Sequence, residues 1–251
     1  MPKMSAFRSA LIAGAAALAL GTGSAQATPV TFAQFTGGAA QNFEFTNTGS
    51  GASLTAVGSG SPVTFTYQSF ALAGLDPSLI GPLTATLTMT ATAAPGATQD
   101  NYGQDRQAFT SATMQFTLNM PVRNQSNLLT VTIQPSGLRG PSLQGDNGGN
   151  AASFQGGSTN FSVVFESDFL DFSQTILRDY ALSFTGINPM LSLGTANDTQ
   201  FLSSFTADGT GTFDSDPPPK VVFAVAEPGS MVLMAFGLVG SVTVRRKVVW
   251  A

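Results

Sequence analysis

The acidic side chains are the groups in this sequence whose types and spacing could support ligand binding or catalysis. Glu166, Asp168 and Asp171 alternate with three phenylalanines. A carboxylate cluster beside aromatic rings can bind sugar or calcium, and a pair of carboxylates can hydrolyse glycosides. Acids that alternate outward along a β-strand explain the same spacing, and we favour that interpretation.

Two further acidic groups are candidates of the same kind. Residues 146–150 (Asp-Asn-Gly-Gly-Asn) resemble part of a calcium-binding loop, but the spaced oxygen ligands and terminal Glu of a full loop are missing. We therefore interpret them as a solvated turn and predict no metal site. Asp208, Asp214 and Asp216 flank a Gly-Thr-Gly hairpin, where their expected role is solvation.

Aromatic side chains provide the second possible chemistry, which is stacking on sugar rings. The sequence has 20 Phe, three Tyr and one Trp. Phenylalanine at alternating positions is typical of a core, whereas sugar platforms need amphipathic rings at the surface. Tyr67, Tyr102 and Tyr180 are therefore the candidate platforms, because Trp250 falls in the C-terminal tail.

Composition excludes several function classes. The sequence contains neither Cys nor His, which excludes thiol catalysis, Ser-His-Asp catalysis and the usual zinc sites. Between residues 28 and 225 there are five basic and thirteen acidic residues, so this part has a net charge of −8. We predict that it binds no nucleic acid, because phosphates would be repelled. No cofactor is predicted.

Alternation of apolar and hydroxyl side chains predicts an all-β fold. Residues 63–67, 83–90 and 129–133 place large apolar groups at every second position and threonine between them. That pattern is typical of antiparallel strands with one face on a core. Glycine-rich turns separate the strands. Residues 28–213 are therefore predicted to form one antiparallel β-sandwich or jelly roll.

The N-terminus has the features of a secretory signal. Two basic residues precede an apolar stretch of eleven residues at 10–20, and Ala25 and Ala27 fit the small-x-small cleavage pattern. Eleven helical residues cover about 16 Å, which is too short for a membrane core of about 30 Å. We predict a signal peptide with a short helix over 1–27 and export of the remainder.

The C-terminus is predicted to contain a linker and a membrane segment. Residues 214–225 include three consecutive prolines and are predicted to form a stiff linker. The tail, 226–251, contains an uncharged apolar run at 229–244, predicted as a transmembrane helix. Residues 245–247 are basic and should remain on the cytoplasmic side.

The order of these tail features resembles a known signal. Glu227 and Pro228, the apolar segment and the basic pair Arg245 and Arg246 resemble the PEP-CTERM sorting signal of Gram-negative bacteria. Ala226 stands where the first proline of that signal is usual. The resemblance is confined to the tail. It implies recognition and processing by an exosortase, an integral-membrane protease or transpeptidase that often accompanies exopolysaccharide or biofilm production.

Together these features predict an exported, non-enzymatic protein of the cell surface or extracellular matrix. Its expected partners are an exosortase-type membrane protease and, before processing, the inner membrane. One alternative is a carbohydrate-binding module of an exopolysaccharide or biofilm matrix. Another is a glycan-active enzyme that uses carboxylates. The expected location is the inner membrane transiently, then the surface or exterior of a Gram-negative bacterium.

Overall fold

The computed structural model describes residues 29–68, 72–135, 140–157, 161–196 and 199–222. Within these ranges the chain forms strands and one single-turn 3₁₀ helix, Pro77–Leu79, and no α-helix. Asp76 caps that turn by accepting a hydrogen bond from the Ser78 N–H. The predicted signal helix and transmembrane helix lie outside the described residues.

Strand formation follows the period-2 alternation of the sequence. Along residues 85–93 every second side chain is buried, and threonines occupy the positions between. The strands are β1 (Val30–Gly37), β2 (Phe43–Asn47), β3 (Ala52–Ala56), β4 (Ser61–Tyr67), β5 (Pro82–Ala93), β6 (Thr98–Gln99), β7 (Gln104–Val122), β8 (Gln125–Pro135), β9 (Ser142–Asp146), β10 (Ala152–Gly157), β11 (Phe161–Glu166), β12 (Leu170–Asp171), β13 (Leu177–Asn188), β14 (Leu193–Ala196), β15 (Thr199–Leu202), β16 (Phe205–Asp216) and β17 (Lys220–Val221).

Thirteen of these strands join one antiparallel sheet. Its order is β1-β4-β5-β3-β2-β16-β13-β10-β9-β7-β8-β11, with β6 paired to β7. Two extra pairings, β1 with β16 and β5 with β7, link strands that are distant in this order. Two small sheets, β12–β17 and β14–β15, complete the fold. The predictions of an all-β class and of antiparallel pairing are confirmed.

Phenylalanine rings join opposing parts of the sheet. The Phe116 ring on β7 lies 4.9 Å from that of Phe35 on β1, 5.1 Å from Phe65 on β4 and 5.4 Å from Phe213 on β16, between centroids. All four side chains are at most 1% exposed. These contacts bury the rings on the inner side of the curved sheet, in a sandwich-like arrangement.

Two glycines on β16 allow the rings to approach the backbone. A Cβ atom on Gly209 would lie 2.1 Å from the ring of Phe43, and one on Gly211 would lie 2.4 Å from the Leu182 side chain. Neither distance is possible for a real Cβ. The Gly-Thr-Gly sequence, predicted as a hairpin, is instead the middle of a long core strand where the absence of side chains makes room for neighbours.

The predicted linker, 214–225, differs from the structure at 214–216 and 220–221, which are in strands. β16 continues to Asp216, and β17 pairs with β12. The Val222 N–H then donates to the Phe169 carbonyl oxygen at 2.9 Å. The prolines cross the turn between β16 and β17, so they do not prevent pairing on either side. The domain therefore extends through Val222 rather than ending at 213, while 223–225 lie outside the described residues.

Strand directions place several chain segments at one end of the domain, which we call the base. The start of β1 pairs with the end of β16, and the start of β5 at Pro82 pairs beside the end of β4. Val122, at the end of β7, and Val221 line one small cavity at the base. The opposite end, which we call the far end, carries the start of β16 and the exposed Met190, which follows the end of β13.

Candidate functional site

The acids of the 166–171 group serve local structure. The Asp168 Oδ2 atom accepts hydrogen bonds from the backbone N–H groups of Ser126 and Asn127, at 3.0 and 2.8 Å. Asp171 accepts the N–H of Ser173 at 2.8 Å and its hydroxyl at 3.0 Å. These two bonds from Ser173 lower the pKa of Asp171 below its usual value, because they stabilise the charged form.

The phenylalanines of this group are turned away from the acids and into the core. Phe165, Phe169 and Phe172 are 3, 3 and 6% exposed, and the rings of Phe165 and Phe172 lie 5.5 Å apart. Glu166, by contrast, is exposed at the end of β11. A glycosidase acid needs a carboxyl group with a raised pKa, and that of Asp171 is shifted the other way. The rings are buried and therefore cannot stack on a sugar.

The turn at 146–150 is tied to a buried carboxylate. The Asn147 side-chain amide donates to Asp105 Oδ2 at 2.8 Å, and Gln99 donates to Oδ1 at 2.9 Å. Gly148 adopts a φ of 74°, which glycine accepts without strain. Asn147 thus faces Asp105 with an N–H donor rather than with a metal-ligating oxygen. Across the described ranges, no set of three or more acidic side chains is arranged to hold a metal ion.

Asp105 belongs to a buried polar pair that the sequence interpretation missed. Asp105 and Gln107 on β7 are both fully buried. The Gln107 amide donates to the Ala94 carbonyl oxygen at 2.6 Å and accepts the Leu202 N–H at 3.2 Å. These bonds join β7 to two neighbouring segments, which is a structural role. Polar residues at every second position of a strand normally predict a solvent-exposed face. The sequence pattern therefore gave no indication that Asp105 and Gln107 are buried.

The acids at 208, 214 and 216 do not form one site. Asp208 accepts a hydrogen bond from the Gln41 N–H near the far end. Asp214 lies six residues along the same strand, which corresponds to about 20 Å. Its Oδ1 atom is buried without a hydrogen-bond partner in the described structure. Asp216 ends β16 at the base, where its carbonyl oxygen accepts the Ile176 N–H at 2.8 Å.

Two of the three candidate sugar platforms are core residues. Tyr67 and Tyr180 are each 2% exposed, and burial raises the pKa of both phenols well above the usual value. The Tyr67 hydroxyl donates to the Leu128 carbonyl oxygen at 2.6 Å. Their prediction as platforms is therefore wrong, because both occupy inward positions of their strands. Tyr102 is 93% exposed and is the accessible member of the set.

An open groove lies at the base between the start of β5 and the end of β7. It contains about 1220 Å³ of free space, including solvent at its mouth. Its apolar lining includes Pro82, Leu83, Leu118, Met120 and Val122, and none of its lining residues is titratable. Such a surface suits contact with an apolar partner rather than acid–base chemistry. We call it the base groove.

A much smaller cavity of about 10 Å³, room for about one water molecule, adjoins the base groove. Val122 lines both, and Val221 lines the small cavity, so the groove continues to the point where the described chain ends. Arg123 and Asp76 form an ion pair at 2.8 Å beside it. Hydrogen bonds from Ser78, with a smaller contribution from Arg123, lower the pKa of Asp76 below its usual value. This carboxyl group is therefore held in its charged form.

The predicted signal residues are not in the described part of the chain. No helix of the described residues is long and apolar enough to cross a membrane. All residues of the predicted sorting and cleavage signals lie outside the described ranges, namely Ala25, Ala27, Glu227, Pro228, Arg245 and Arg246. Their roles stay predictions.

Comparison with known proteins gives no relative from which a function can be transferred. No protein family model, curated protein or solved structure matches this chain. Its function must therefore be inferred from its own residues.

Proposed function

We propose that this protein is exported and non-enzymatic, and that its tail is a sorting and processing signal for an exosortase-type membrane protease. The observation that carries the proposal is the order of features in the tail. Glu227 and Pro228 are followed by the apolar run at 229–244 and then by three basic residues, in a chain that begins with a signal-peptide pattern. The β-sandwich domain would stand outside the inner membrane.

Physical chemistry explains why these tail features work in this order. Sixteen helical residues at 229–244 cover about 24 Å, near the lower limit of a membrane span. Pro228 suits the first turn of such a helix, where its missing N–H costs nothing, and keeps the preceding residue extended. The basic residues at 245–247 resist translocation. The Glu-Pro junction would then lie at the outer face, within reach of a membrane enzyme.

The domain supports a non-enzymatic role. The chain has no His or Cys, and two of the three acids in the 166–171 group are engaged in hydrogen bonds to the domain's own chain. Asp168 and Asp171 bind nearby N–H groups, and Asp105 binds two side-chain amides. The surplus of acidic residues disfavours nucleic acid as a partner. The proposed location is the inner membrane before processing and the surface or extracellular matrix of a Gram-negative bacterium afterwards.

The experiment that tests this proposal compares two bacterial hosts, one with an exosortase and one without. We expect the full chain to stay in the membrane fraction of the second host and to be released in the first. Replacing Glu227 and Pro228 with alanine should block release while export continues. A double change in the tail beyond the basic residues, Val248→Ala with Val249→Ala, is the matched control and should be released normally. Equal release from both hosts would overturn the proposal.

A carbohydrate-binding module is the second candidate, and the exposure of Tyr102 favours it. Tyr102 lies in a turn held by Asp100, which accepts the Tyr102 N–H at 2.8 Å, so the ring projects from an ordered backbone. An exposed tyrosine can stack on a sugar ring. Retention on immobilised exopolysaccharide that falls when Tyr102 is changed to alanine would support this candidate. Equal retention of the Tyr102→Ala variant would exclude Tyr102 as the platform.

A further inference from the structure

We propose that the base of the domain rests on the lipid surface for as long as the tail anchors the chain. This inference depends on the proposed function, because it needs the tail to enter the membrane. It goes further by assigning a membrane-contacting surface to the domain itself. That surface is the base groove together with its rim residues Ile80, Met120 and Val222.

The first observation is the exposure of aliphatic side chains at the base. Met120 is 81% exposed, Ile80 is 54% exposed and Val222 is 48% exposed. Met120 is part of the largely apolar lining of the base groove, and Ile80 lies in sequence between two other lining residues, Ser78 and Pro82. Val222 follows Val221, which lines the small cavity. Covering large aliphatic side chains with another apolar phase is favourable because it removes apolar surface from water. Contiguous exposed apolar patches mark interaction sites. The base therefore has the composition of a contact surface.

The second observation is that this surface continues to Val222, where the described part of the domain ends, four residues before the tail. Val122 lines both the base groove and the small cavity, and Leu79 and Val221 line that cavity as well. Val222 follows directly and is held by its hydrogen bond to Phe169. The chain thus leaves the domain at the edge of its apolar surface.

The third observation is the length of chain that remains between the domain and the apolar run. Because the backbone hydrogen bond of Val222 to Phe169 holds the chain to the domain, only the six residues 223–228 separate that point from Gly229. Six residues span at most about 20 Å when fully extended. The base must therefore stay within about 20 Å of the start of the membrane segment. A tether this short keeps the apolar surface at high effective concentration next to the lipid.

Charge indicates that the contact is apolar rather than electrostatic. Acids outnumber exposed cations near the base, where Glu166, Asp168, Asp171 and Asp216 accompany the exposed Lys220. Arg123 is already paired with Asp76, and Arg178 donates to Thr175 and to the Phe172 carbonyl oxygen. This set of charges would attract anionic lipid headgroups only weakly, because it lacks a cluster of unpaired basic residues. Aliphatic side chains that insert at the boundary between headgroups and acyl chains do not need anionic lipid. The expected surface is therefore a neutral phosphatidylcholine bilayer.

The absence of cysteine from the sequence makes a site-specific test possible. Met120→Cys places a label at the base, and Met190→Cys is a matched control, since Met190 is 62% exposed at the far end. Each full-length variant is labelled with a polarity-sensitive fluorophore and reconstituted into phosphatidylcholine vesicles. We expect the emission at position 120 to shift to the blue and to be quenched at least about twofold by a lipid-borne quencher. Position 190 should keep its emission in water.

The outcomes separate this inference from the proposed function. If the protein sediments with the vesicles but the label at 120 behaves like the label at 190, the inference is overturned and the anchor stands. If the full chain does not sediment with vesicles, the anchoring part of the proposed function fails, and the inference fails with it. A blue shift at 120 without quenching from the lipid would indicate contact with protein, such as a second copy, and would also overturn it.

A second variant guards against misinterpretation of the label. Ile80→Cys reports from the other side of the base groove, and Met120→Asp places a charge on its rim. With Met120→Asp present, lipid quenching at position 80 should fall to the level found at position 190. Unchanged quenching at position 80 would show that Met120 does not contribute to the contact.

Discussion

The domain and the tail carry information in different forms. In the domain, structure depends on contacts between residues that are distant in sequence, such as the pairing of Val30 with Ser215. In the tail, the proposed signal is a linear order of residue types within 26 positions. The comparison teaches that the proposed signal, unlike the domain, is defined without contacts between distant residues. Changes in one region should therefore leave the other unaffected.

The largest expected effect comes from the Glu-Pro junction. Glu227→Ala with Pro228→Ala should reduce processing at least about tenfold, while the thermal unfolding temperature of the domain stays within about 1 °C of that of the unmodified protein. The reason is that the hydrogen bonds and core contacts of the described domain are all made by residues up to Val222, before the altered residues. Calorimetry of the two proteins checks this. A lowered unfolding temperature would mean that the tail contributes to the fold and that the two regions are not independent.

The central core phenylalanine should show the opposite behaviour. Phe116→Ala removes a fully buried ring that contacts three others, and should lower the free energy of unfolding by about 3–5 kcal/mol. Urea denaturation measures this change. Thr113→Ala, at an exposed position of the same strand, is the control and should stay within about 0.5 kcal/mol. Similar losses for the two variants would contradict the described core.

A smaller loss is expected where the chain needs a glycine. Gly211→Ala would place a Cβ atom 2.4 Å from Leu182 and 2.7 Å from Phe35, so the core must shift, at a cost of about 1–3 kcal/mol. Gly51→Ala is the matched control, because a Cβ there meets nothing within 4 Å. Denaturation curves of the two variants should therefore differ. If Gly211→Ala is as stable as Gly51→Ala, the close packing over β16 is wrong.

The smallest expected effect is a pH dependence at Asp171. The hydrogen bonds from Ser173 hold the pKa of Asp171 in the folded protein below its ordinary value. The stabilising contribution is therefore present above the unfolded value and is lost as pH falls through the folded pKa. Ser173→Ala should raise the pKa of Asp171 toward its ordinary value in an NMR titration, whereas Ser78→Ala should not. No change in Ser173→Ala would contradict the assignment.

The alternation of side chains was sufficient to predict strands, because it reflects local geometry. Residues 83–90 fall inside β5, and 129–133 fall inside β8. Period 2 also implies that neighbours point to opposite faces. The alternation does not show which face of a strand is buried, since burial depends on distant strands that pack against that face. Tyr67 was therefore predicted as a surface platform, although it continues the inward series of Phe65.

Local composition gave the wrong prediction at the end of β16, where it conflicted with the alternation of buried and exposed side chains. The prolines at 217–219 predicted a linker from 214, yet Phe213 and Ser215 continue the buried positions of β16. Their burial depends on β1 and β13, whose pairing cannot be inferred from nearby residues. Likewise, the buried Asp105 is stabilised by Gln99 and by Asn147, which lies forty-two positions along the chain. Local composition cannot reveal such partners.

The most direct test of the proposed function is the intact mass of the protein recovered from a host that contains an exosortase. The proposal predicts a mature chain that starts at Thr28 and ends near Glu227 and Pro228, so that the mass of the apolar segment and basic residues is missing. In a host without the enzyme, the mass should include every residue to Ala251. Persistence of the full tail in the exosortase-positive host would contradict the proposal and leave the tail as a membrane anchor alone.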